Sequence, residues 1–416
     1  MPDKGGARFL ASAKRICFAV LLRSASIEVA MVAAVKKLLL PFSSKRGVKT
    51  VVVLANDGMG DNLYRIPFFA ALRERYPARS FRIVAFVLPG MVSVFTRMPF
   101  FDEVRRARLY SHRLLVWPFV DHVRWALFHH ADVWINLVRI RTIGFDFAMR
   151  LADPEFSCAY DTALLSLFLP TEAAFQQARM DGRYSKLLQS ATSTNHLEDY
   201  RTILRAVSPG SDDPVLPDVN AGFLVEEEFD VGFLGADYVV FVPGASREYR
   251  RWPVDRFMEA ARSLVARSER LRIVVVGAED EIPLGEAIAS VCPARVTNLC
   301  GRTTLPQLGK VLSRAKFVLS NETGTAHYAA ALGVRTICIL GGGDFGAYFP
   351  MPQRPHVTCL FRKESCFGCS WICPRVNLRR SVAPCVDAID VSDVMAVLSR
   401  NLTVSDNGNK ELVHGS

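Results

Sequence analysis

The sequence predicts an α/β protein with two domains. A chain of 416 residues is too long for a single hydrophobic core. Half of the residues are hydrophobic, so enough apolar side chain is available for sizeable cores. Short apolar runs that are typical of buried strands alternate with helical stretches along the chain. These observations together favour sheets flanked by helices.

The clearest α/β unit covers residues 315–343, AKFVLSNETGTAHYAAALGVRTICILGGG. It predicts a strand, a tight loop, a helix of small residues that ends at Gly333, and a second, parallel strand. Open α/β sheets bind ligands at the carboxyl ends of their strands, and the N–H groups that open a helix favour anions. The loop of this unit therefore predicts a phosphate-binding site.

A leader segment, residues 1–46, stands apart from the rest. It is apolar, but Lys14, Arg23, Lys37 and other charged residues interrupt it. The uncharged runs between them are far shorter than the roughly 20 residues of a membrane-spanning helix. Two alternatives remain open for it: a basic, apolar helix in a membrane interface, and a helix packed on the protein's own core.

The first domain is predicted over residues 47–207. The run KTVVVLA at 49–55 predicts its first strand, and a helical stretch follows with a kink or restart at Pro67. Further strands are predicted at 81–88, 131–138 and 156–159.

The second domain is predicted over residues 236–400, after a linker at 208–235 that is rich in proline, glycine and acids. Residues 401–416 are polar and predict a disordered tail. Predicted strands of the second domain lie at 238–242, 271–276, 317–319 and 335–340, and predicted helices at 254–267, 282–291, 304–313 and 325–332.

The formal net charge of +10 favours anionic partners such as phosphate esters, nucleic acid or an acidic membrane surface. The sequence carries no nucleic-acid-binding motif, so nucleic acid is the weakest of these partners. Ten scattered cysteines are too few for a disulfide scaffold in a chain of this size, which favours a reducing compartment.

The loop at residues 58–61 follows the first predicted strand and opens a helix. It forms only half of a dinucleotide fingerprint, because Leu63 stands where the third glycine belongs. Its glycines still allow a substrate to approach the backbone closely. Asp61 has two interpretations: a helix cap, which the residues alone favour, or a general base at the carboxyl edge of the sheet.

Three loops of the second domain carry polar side chains at strand ends that share one edge of the sheet. Hydroxyl groups, a guanidinium and a helix amino end suit a diphosphate, and a carboxylate suits a ribose diol. The alternative for the arginines is a solvated surface, and a helical histidine is more often a packing residue. The side chains concerned are Ser246, Arg247, Arg250 and Arg251 in the first loop, Glu281 in the second, and Thr323, Gly324 and His327 in the third.

A cluster of cysteines lies near the end of the second domain. Its two- and three-residue spacings are compatible with zinc or an iron–sulfur cluster, and a disulfide or simple thiols are equally open. The aspartate-rich DxD motif of metal-dependent sugar transferases is absent from the sequence. The cysteines of this cluster are Cys359, Cys366, Cys369, Cys373 and Cys385.

Four motifs in this order resemble glycosyltransferase family 9, the heptosyltransferase group. The resemblance covers about residues 49–393, and a cysteine cluster near the C-terminus is also common in that family. The motifs are Gly60-Asp61 with Pro67 downstream, Arg250 before Trp252-Pro253, the loop Gly277 to Glu281, and Glu322-Thr323-Gly324-Thr325-Ala326-His327.

The resemblance implies a GT-B fold, in which two Rossmann-like domains face a central cleft. It implies a metal-independent, inverting transferase without a cofactor, which moves heptose from ADP-heptose to a lipopolysaccharide core or a related surface glycan. The first domain would take the acceptor, with Gly58, Gly60 and Asn62 in its loop. The second would take the nucleotide sugar.

The resemblance also implies roles for residues. Asp61 would be the general base, and Arg250, or its neighbour Arg251, would neutralise the leaving diphosphate. Glu322 stands where the family has aspartate, at the sugar contact. The remaining donor-side residues would be Ser246, Glu281, Thr323, Gly324, Thr325 and His327.

The sequence thus predicts a cytoplasmic enzyme attached peripherally to the inner membrane. Its partners would be a nucleotide-sugar donor, a lipid-linked glycan acceptor and an anionic membrane surface. The rivals are a relative that uses another nucleotide sugar, an epimerase-like GT-B enzyme, and a non-catalytic nucleotide-binding protein.

Overall fold

The computed structural model describes residues 48–107, 121–139, 141, 143–161, 181–189, 196–207, 213–351, 353–377 and 381–398. The predicted leader and tail lie outside the described residues. Within them, no helix combines the length and the apolar character that crossing a membrane requires.

The chain packs as two units. The first comprises Met1–Gly58 and Pro67–Pro217, and the second comprises Met59–Ile66 and Asp218–Ser416. The sequence predicts a first domain that contains all of residues 47–207. The short segment Met59–Ile66 instead packs with the second.

The first unit is built on a sheet of six parallel strands. The spatial order is β3-β2-β1-β4-β5-β6, which is the order of a Rossmann sheet. The strands are β1 (Lys49–Ala55), β2 (Phe81–Val87), β3 (Glu103–Arg106), β4 (Val133–Asn136), β5 (Phe156–Tyr160) and β6 (Lys186–Leu188).

The helical stretch after β1 breaks in two, as Pro67 predicts. α1 (Met59–Tyr64) and α2 (Ile66–Arg75) are separated at Arg65. Pro67 is the second residue of α2, where a missing N–H leaves no helical hydrogen bond unmade. α1 belongs to the second unit. Besides α2, the helices of the first unit are α3 (Val92–Thr96), α4 (Asp121–Phe128), α5 (Ile143–Ala152) and α6 (His196–Ala206).

Several ionisable groups are buried in the described part of the first unit, among them His122 and Arg141. His122 lies between the rings of Phe86 and Phe145, and burial lowers its pKa to about 3. Arg141 is fully buried, with its Nε atom 3.3 Å from Asp146 Oδ1 and its Nη2 atom bonded to Asp181. The arginine thus compensates the buried carboxylate of Asp146 and pairs with the partly exposed carboxylate of Asp181.

The second unit repeats the architecture of the first. Its six parallel strands have the spatial order β12-β11-β10-β7-β8-β9, again a Rossmann order. The strands are β7 (Tyr238–Val242), β8 (Arg272–Val275), β9 (Val296–Asn298), β10 (Val318–Asn321), β11 (Thr336–Ile339) and β12 (Val357–Leu360).

The helices of the second unit follow the predicted positions closely. α7 (Val254–Arg267) buries Phe257, Ala260, Ala261 and Leu264, which recur at helical spacing on one face. Gly333 has a φ of +77°, which confirms the left-handed helix end. The remaining helices are α8 (Ile282–Ala289), α9 (Leu305–Ser313), α10 (Gly324–Ala331), α11 (Pro384–Asp387) and a helix over residues 391–398.

The α/β class with two Rossmann-like domains is confirmed. In each sheet the strand order reverses beside the first strand of the domain. The reversal point of the second sheet lies between β7 and β10. Ligands of doubly wound sheets bind at this point, beyond the carboxyl ends of the strands.

Candidate functional site

Asn321, the last residue of β10, ties the two central strands of the second sheet together. Its buried Nδ2 donates to the carbonyl oxygens of Pro243 (2.8 Å) and Gly244 (3.3 Å) after β7. Its Oδ1 accepts from the backbone N–H of Trp252 at 2.9 Å. The loop that carries the arginines is thereby held against the end of β10.

Glu322 follows Asn321 and is buried, with 8% of its surface exposed. Burial raises the pKa of its carboxyl to about 7, against the opposing effect of the Arg250 charge and with a further rise from Asp344. Its Oε2 atom has no hydrogen-bond partner among the described residues. A buried acceptor without a partner is costly unless a ligand supplies the donor.

Arg250 ends the short 3₁₀ turn Glu248–Arg250. Its guanidinium carbon lies 4.3 Å from the centre of the Trp371 ring, and its Nη2 donates to Asp344 Oδ2 at 3.1 Å. Trp371 Nε1 donates to the same Asp344 oxygen at 2.7 Å. The Nε atom of Arg250 is buried and has no partner within the described structure.

Arg251 and Glu281 form a second charged group. Arg251 Nε donates to the carbonyl oxygen of Ala245 at 3.1 Å, and its Nη2 lies 4.0 Å from Glu281 Oε1. Glu281 Oε2 accepts from the backbone N–H of Ala278 at 2.8 Å. A Cβ atom on Gly244 would lie 1.8 Å from Glu281 Oε1, so only glycine leaves room for this carboxylate. Ser246 is exposed beside this group.

The start of α10 carries a side-chain cap and is partly exposed. Thr323 is the N-cap residue, and its hydroxyl accepts from the backbone N–H of Thr325 at 3.2 Å. Thr323 and Gly324 remain partly exposed, whereas Thr325 is buried. The exposed face of this helix start can therefore receive a phosphate.

The first turns of α1 and α10 touch through glycines. A Cβ atom on Gly324 would lie 3.2 Å from the backbone nitrogen of Gly60 and 2.7 Å from Met59 Cε. A Cβ atom on Gly60 would lie 3.0 Å from the His327 ring. The glycines of the two motifs thus serve a close approach of one helix to the other.

Asp61 lies in the first turn of α1, not at its N-cap. Its Oδ1 accepts a hydrogen bond from the Tyr348 hydroxyl. Asp61 is partly exposed, so a ligand can reach its carboxylate. The capping interpretation is therefore the weaker one in the folded chain.

His327 is buried among aromatic rings. Its ring centre lies 4.5 Å from Phe349, 5.5 Å from Tyr348 and 5.9 Å from Tyr64. These contacts agree with the alternative that His327 is a packing residue of the helix. Its donor-binding role stays a prediction.

The residues predicted for the acceptor-side loop fall into different packing units. Gly58 ends the first unit and is exposed, while Gly60 and Asn62 belong to the second. Asn62 is buried, and its Oδ1 accepts from Arg65 Nη1 at 3.1 Å. Asn62 thus bonds to the side chain of the residue that directly follows α1.

The cysteine cluster divides. All nine described cysteines are free thiols, and the described residues contain no group of three His, Cys, Asp or Glu side chains arranged to hold a metal ion. Cys359 pairs in register with Cys338 on the neighbouring strand. The other four line a cavity of about 10 Å³ together with Gly342, Gly343 and Trp371: Cys366, Cys369, Cys373 and Cys385.

Sequence reasoning missed four residues of the site: Asn321, Asp344, Tyr348 and Trp371. Asn321 could have been found, because it ends a predicted strand directly before Glu322. The other three lie beyond β11 and carry no spacing that distinguishes them from loop residues.

Residues 159–370, about half of the chain, match the model of glycosyltransferase family 9 (heptosyltransferase). Lipopolysaccharide heptosyltransferase 3 of Escherichia coli is 28% identical over 121 residues, which cover 29% of this chain and 36% of that protein. The match thus spans little more than a third of that relative's length.

Two solved structures cover most of the chain. ADP-heptose lps heptosyltransferase II of E. coli superposes with a TM-score of 0.61 at 17% identity, over 86% of this chain and all of that one. E. coli heptosyltransferase WaaC with ADP-2-deoxy-2-fluoro heptose gives 0.59 at 17% identity, over 85% of this chain and 99% of that one. At these identities the likeness shows the fold alone, and it confirms the GT-B class.

Proposed function

This chain belongs to glycosyltransferase family 9, and from that premise we propose that it transfers a heptose from ADP-heptose to a lipopolysaccharide core or a related surface glycan. One observation carries the proposal. Glu322 Oε2 and Arg250 Nε are both buried without a partner at the reversal point of the second sheet, among the described residues. A nucleotide sugar presents both the hydroxyl donors and the phosphate acceptors that these two atoms require.

The diphosphate of the donor binds between Arg250 and the start of α10. The guanidinium supplies charge in a planar fork, and the N–H groups that Thr323 and Gly324 expose supply the dipole. Charge builds up on the diphosphate as its bond to the sugar breaks, so these groups stabilise the transition state more than the bound donor. Glu281 then binds the ribose, with Arg251 holding its carboxylate.

Asp61 acts as the general base. Its Oδ1 is bonded to Tyr348, which leaves Oδ2 for the proton of the acceptor hydroxyl. The acceptor oxygen attacks the anomeric carbon, its proton passes to Asp61, and the bond from that carbon to the diphosphate oxygen breaks. The nucleoside diphosphate leaves with the electron pair, and attack from the opposite face inverts the anomeric centre.

In this proposal the chemistry needs no metal ion. Arg250 and the helix start perform the charge neutralisation that a metal would otherwise provide. The donor assignment rests on family membership and on the ADP-sugar that the WaaC structure contains.

A second candidate is a transferase that uses another nucleotide sugar. Glu322 favours it, because the resemblance places aspartate at this position. The longer side chain reaches one methylene further toward the sugar, and its raised pKa lets it donate as well as accept near neutral pH.

A donor panel tests the function. Purified protein is given ADP-heptose and other nucleotide sugars with a lipopolysaccharide-core acceptor, and the glycan product and released nucleotide are measured. Turnover of ADP-heptose supports the first candidate, and turnover of a different donor supports the second. If no donor raises the thermal stability of the protein and none is turned over, the proposed function is wrong.

Asp61→Asn tests the base. We expect kcat to fall by about 10²- to 10⁴-fold, with little change in ADP affinity. Asp237→Asn is the matched control, because Asp237 forms an exposed ion pair with Lys316 at the opposite end of β7. An Asp61→Asn enzyme with wild-type kcat would refute the assignment.

We also propose that the protein works in the cytoplasm at the inner membrane, where the lipid-linked acceptor is made. The net charge of +10 and the basic residues of the leader favour an anionic surface. Removing residues 1–46 should reduce sedimentation with vesicles of anionic lipid. Equal sedimentation of the two forms would contradict this localisation.

A further inference from the structure

The loop after β11 is a defined turn rather than an irregular connection. The backbone N–H of Ala347 donates to Asp344 at 3.0 Å, and that of Gly346 donates to Phe349 at 2.8 Å. Gly346 has a φ of +91°, a conformation that favours glycine. The positions of the side chains at residues 344 and 348 are therefore fixed relative to each other.

Aromatic packing anchors the turn on both sides. The ring of Phe345 lies 4.9 Å from Phe361 and 5.1 Å from Phe367. The ring of Phe349 lies 4.5 Å from His327 on α10. The turn is thus attached both to the cysteine-rich segment and to the helix whose start forms the anion site.

Asp344, at one end of the turn, holds Arg250. Its Oδ2 accepts from Arg250 Nη2 at 3.1 Å and from Trp371 Nε1 at 2.7 Å. The indole also covers the guanidinium at 4.3 Å. A free arginine side chain samples many rotamers, and the hydrogen bond to Asp344 and the contact with the indole restrict that freedom.

Tyr348, at the other end, holds Asp61. Its hydroxyl donates to Asp61 Oδ1, and its ring packs edge-on against Tyr64 at 5.2 Å. Tyr64 belongs to the same helix, α1, as Asp61. The tyrosine therefore fixes both the carboxylate and the helix that carries it.

We propose that the turn at residues 344–348 positions the two reacting groups of the site, with Asp344 acting through Arg250 and Tyr348 acting through Asp61. Both are positioning residues, because neither is needed to touch the substrate. Four residues of extended chain span at most about 14 Å, so the turn limits how far the base and the phosphate-binding arginine can separate. The proposal rests on the proposed function for its kinetic consequences, but not for the contacts themselves.

The kinetic test is Tyr348→Phe, which removes the hydroxyl and keeps the ring. We expect kcat to fall about 10- to 100-fold, because a carboxylate misplaced by a fraction of an ångström is a poor base, while the Kd for ADP changes less than about twofold. Asp344→Ala is expected instead to weaken ADP binding and to raise the Kd about tenfold, because Arg250 loses its fixed position. The split between the two readouts separates positioning from a general loss of structure.

Tyr238→Phe is the matched control. Its hydroxyl donates to Val311 in the same domain at 2.7 Å, so the variant also loses one buried hydrogen bond. We expect it to keep wild-type kcat. If Tyr348→Phe also keeps wild-type kcat in an enzyme that turns over its donor, the positioning role of Tyr348 is refuted.

A double-mutant cycle tests the pairing directly. In an Asp61→Asn background, Tyr348→Phe should lower kcat by less than about twofold, because the two residues act as one unit. If Tyr348→Phe lowers kcat by the same factor in the Asp61→Asn background as in the wild type, the proposal is overturned. The same cycle can be measured as free energies of unfolding, which tests the contact between Tyr348 and Asp61 even if the protein turns over no donor. Strictly additive unfolding free energies would show that the two side chains do not interact and would overturn the proposal.

Discussion

Glu322→Gln provides a quantitative test of the site, because it removes one ionisable group without changing its size. Burial raises the pKa of Glu322 from 4.5 to about 7. The folded protein therefore keeps this proton longer than the unfolded chain does. The contribution of the protonated Glu322 carboxyl to the free energy of unfolding is fully present below pH 4.5. This contribution is lost as the pH rises through 7.

The size of the effect follows from the pKa. One pKa unit corresponds to about 1.36 kcal/mol. Through Glu322 alone, the free energy of unfolding of the wild type should be about 2.5 kcal/mol lower at pH 8 than at pH 5. Glutamine cannot ionise, so the variant should lack this dependence. The stability of Glu322→Gln relative to wild type should therefore improve by that amount between the two pH values.

The assay is urea unfolding at several pH values, followed by tryptophan fluorescence, to which Trp252, buried in the same domain, contributes. Glu286→Gln is the control, because Glu286 is exposed on α8 and the substitution removes the same kind of group from the surface. If the difference between wild type and Glu322→Gln is flat from pH 5 to pH 8, Glu322 is ionised in the folded protein and the reasoning fails.

Three further predictions concern packing within each of the two units. Gly324→Ala places a Cβ atom 3.2 Å from the Gly60 nitrogen, so it should cost about 1–3 kcal/mol in urea unfolding and lower kcat; Gly90→Ala, with open space around it, is the control. His122 has a folded pKa of about 3, below the ordinary 6.5, so stability should be lost as the pH falls from 6.5 towards 3, by up to about 5 kcal/mol, and His122→Phe should abolish this loss. Arg141→Met leaves Asp146 buried without its cation and should destabilise the first domain by about 3–5 kcal/mol, whereas a loss below about 1 kcal/mol in the same unfolding assay would contradict the burial of the pair.

The central strands could be predicted from sequence, and the edge strands could not. β1 and β7 contain runs of consecutive apolar residues, because both faces of a central parallel strand are covered. The four strands that sequence reasoning missed, β3, β6, β9 and β12, are the outer strands of the two sheets. They are three or four residues long and partly exposed, so their composition does not differ from that of loops.

The site shows the same division. Thr323 and Gly324 could be predicted because a strand, a turn and a small-residue helix in succession define a helix start. The Arg250 and Asp61 roles came from the resemblance, since a charged residue after a strand has several structural explanations. Asp344 and Tyr348 could not be predicted, because their significance lies in contacts with residues 94 and 287 positions away.

The assignment of Met59–Ile66 to the second packing unit has a consequence for protein engineering. An exchange of domains with a related chain could be cut at the linker, so that the second half begins at Asp218. A chimera cut there would take Arg250, Tyr348 and Gly324 from one parent, and Asp61 and Gly60 from the other. Residues that contact one another within the second unit would then come from two different parents. A hybrid that keeps these contacts would have to take the eight-residue segment Met59–Ile66 from the same parent as residues 218–416.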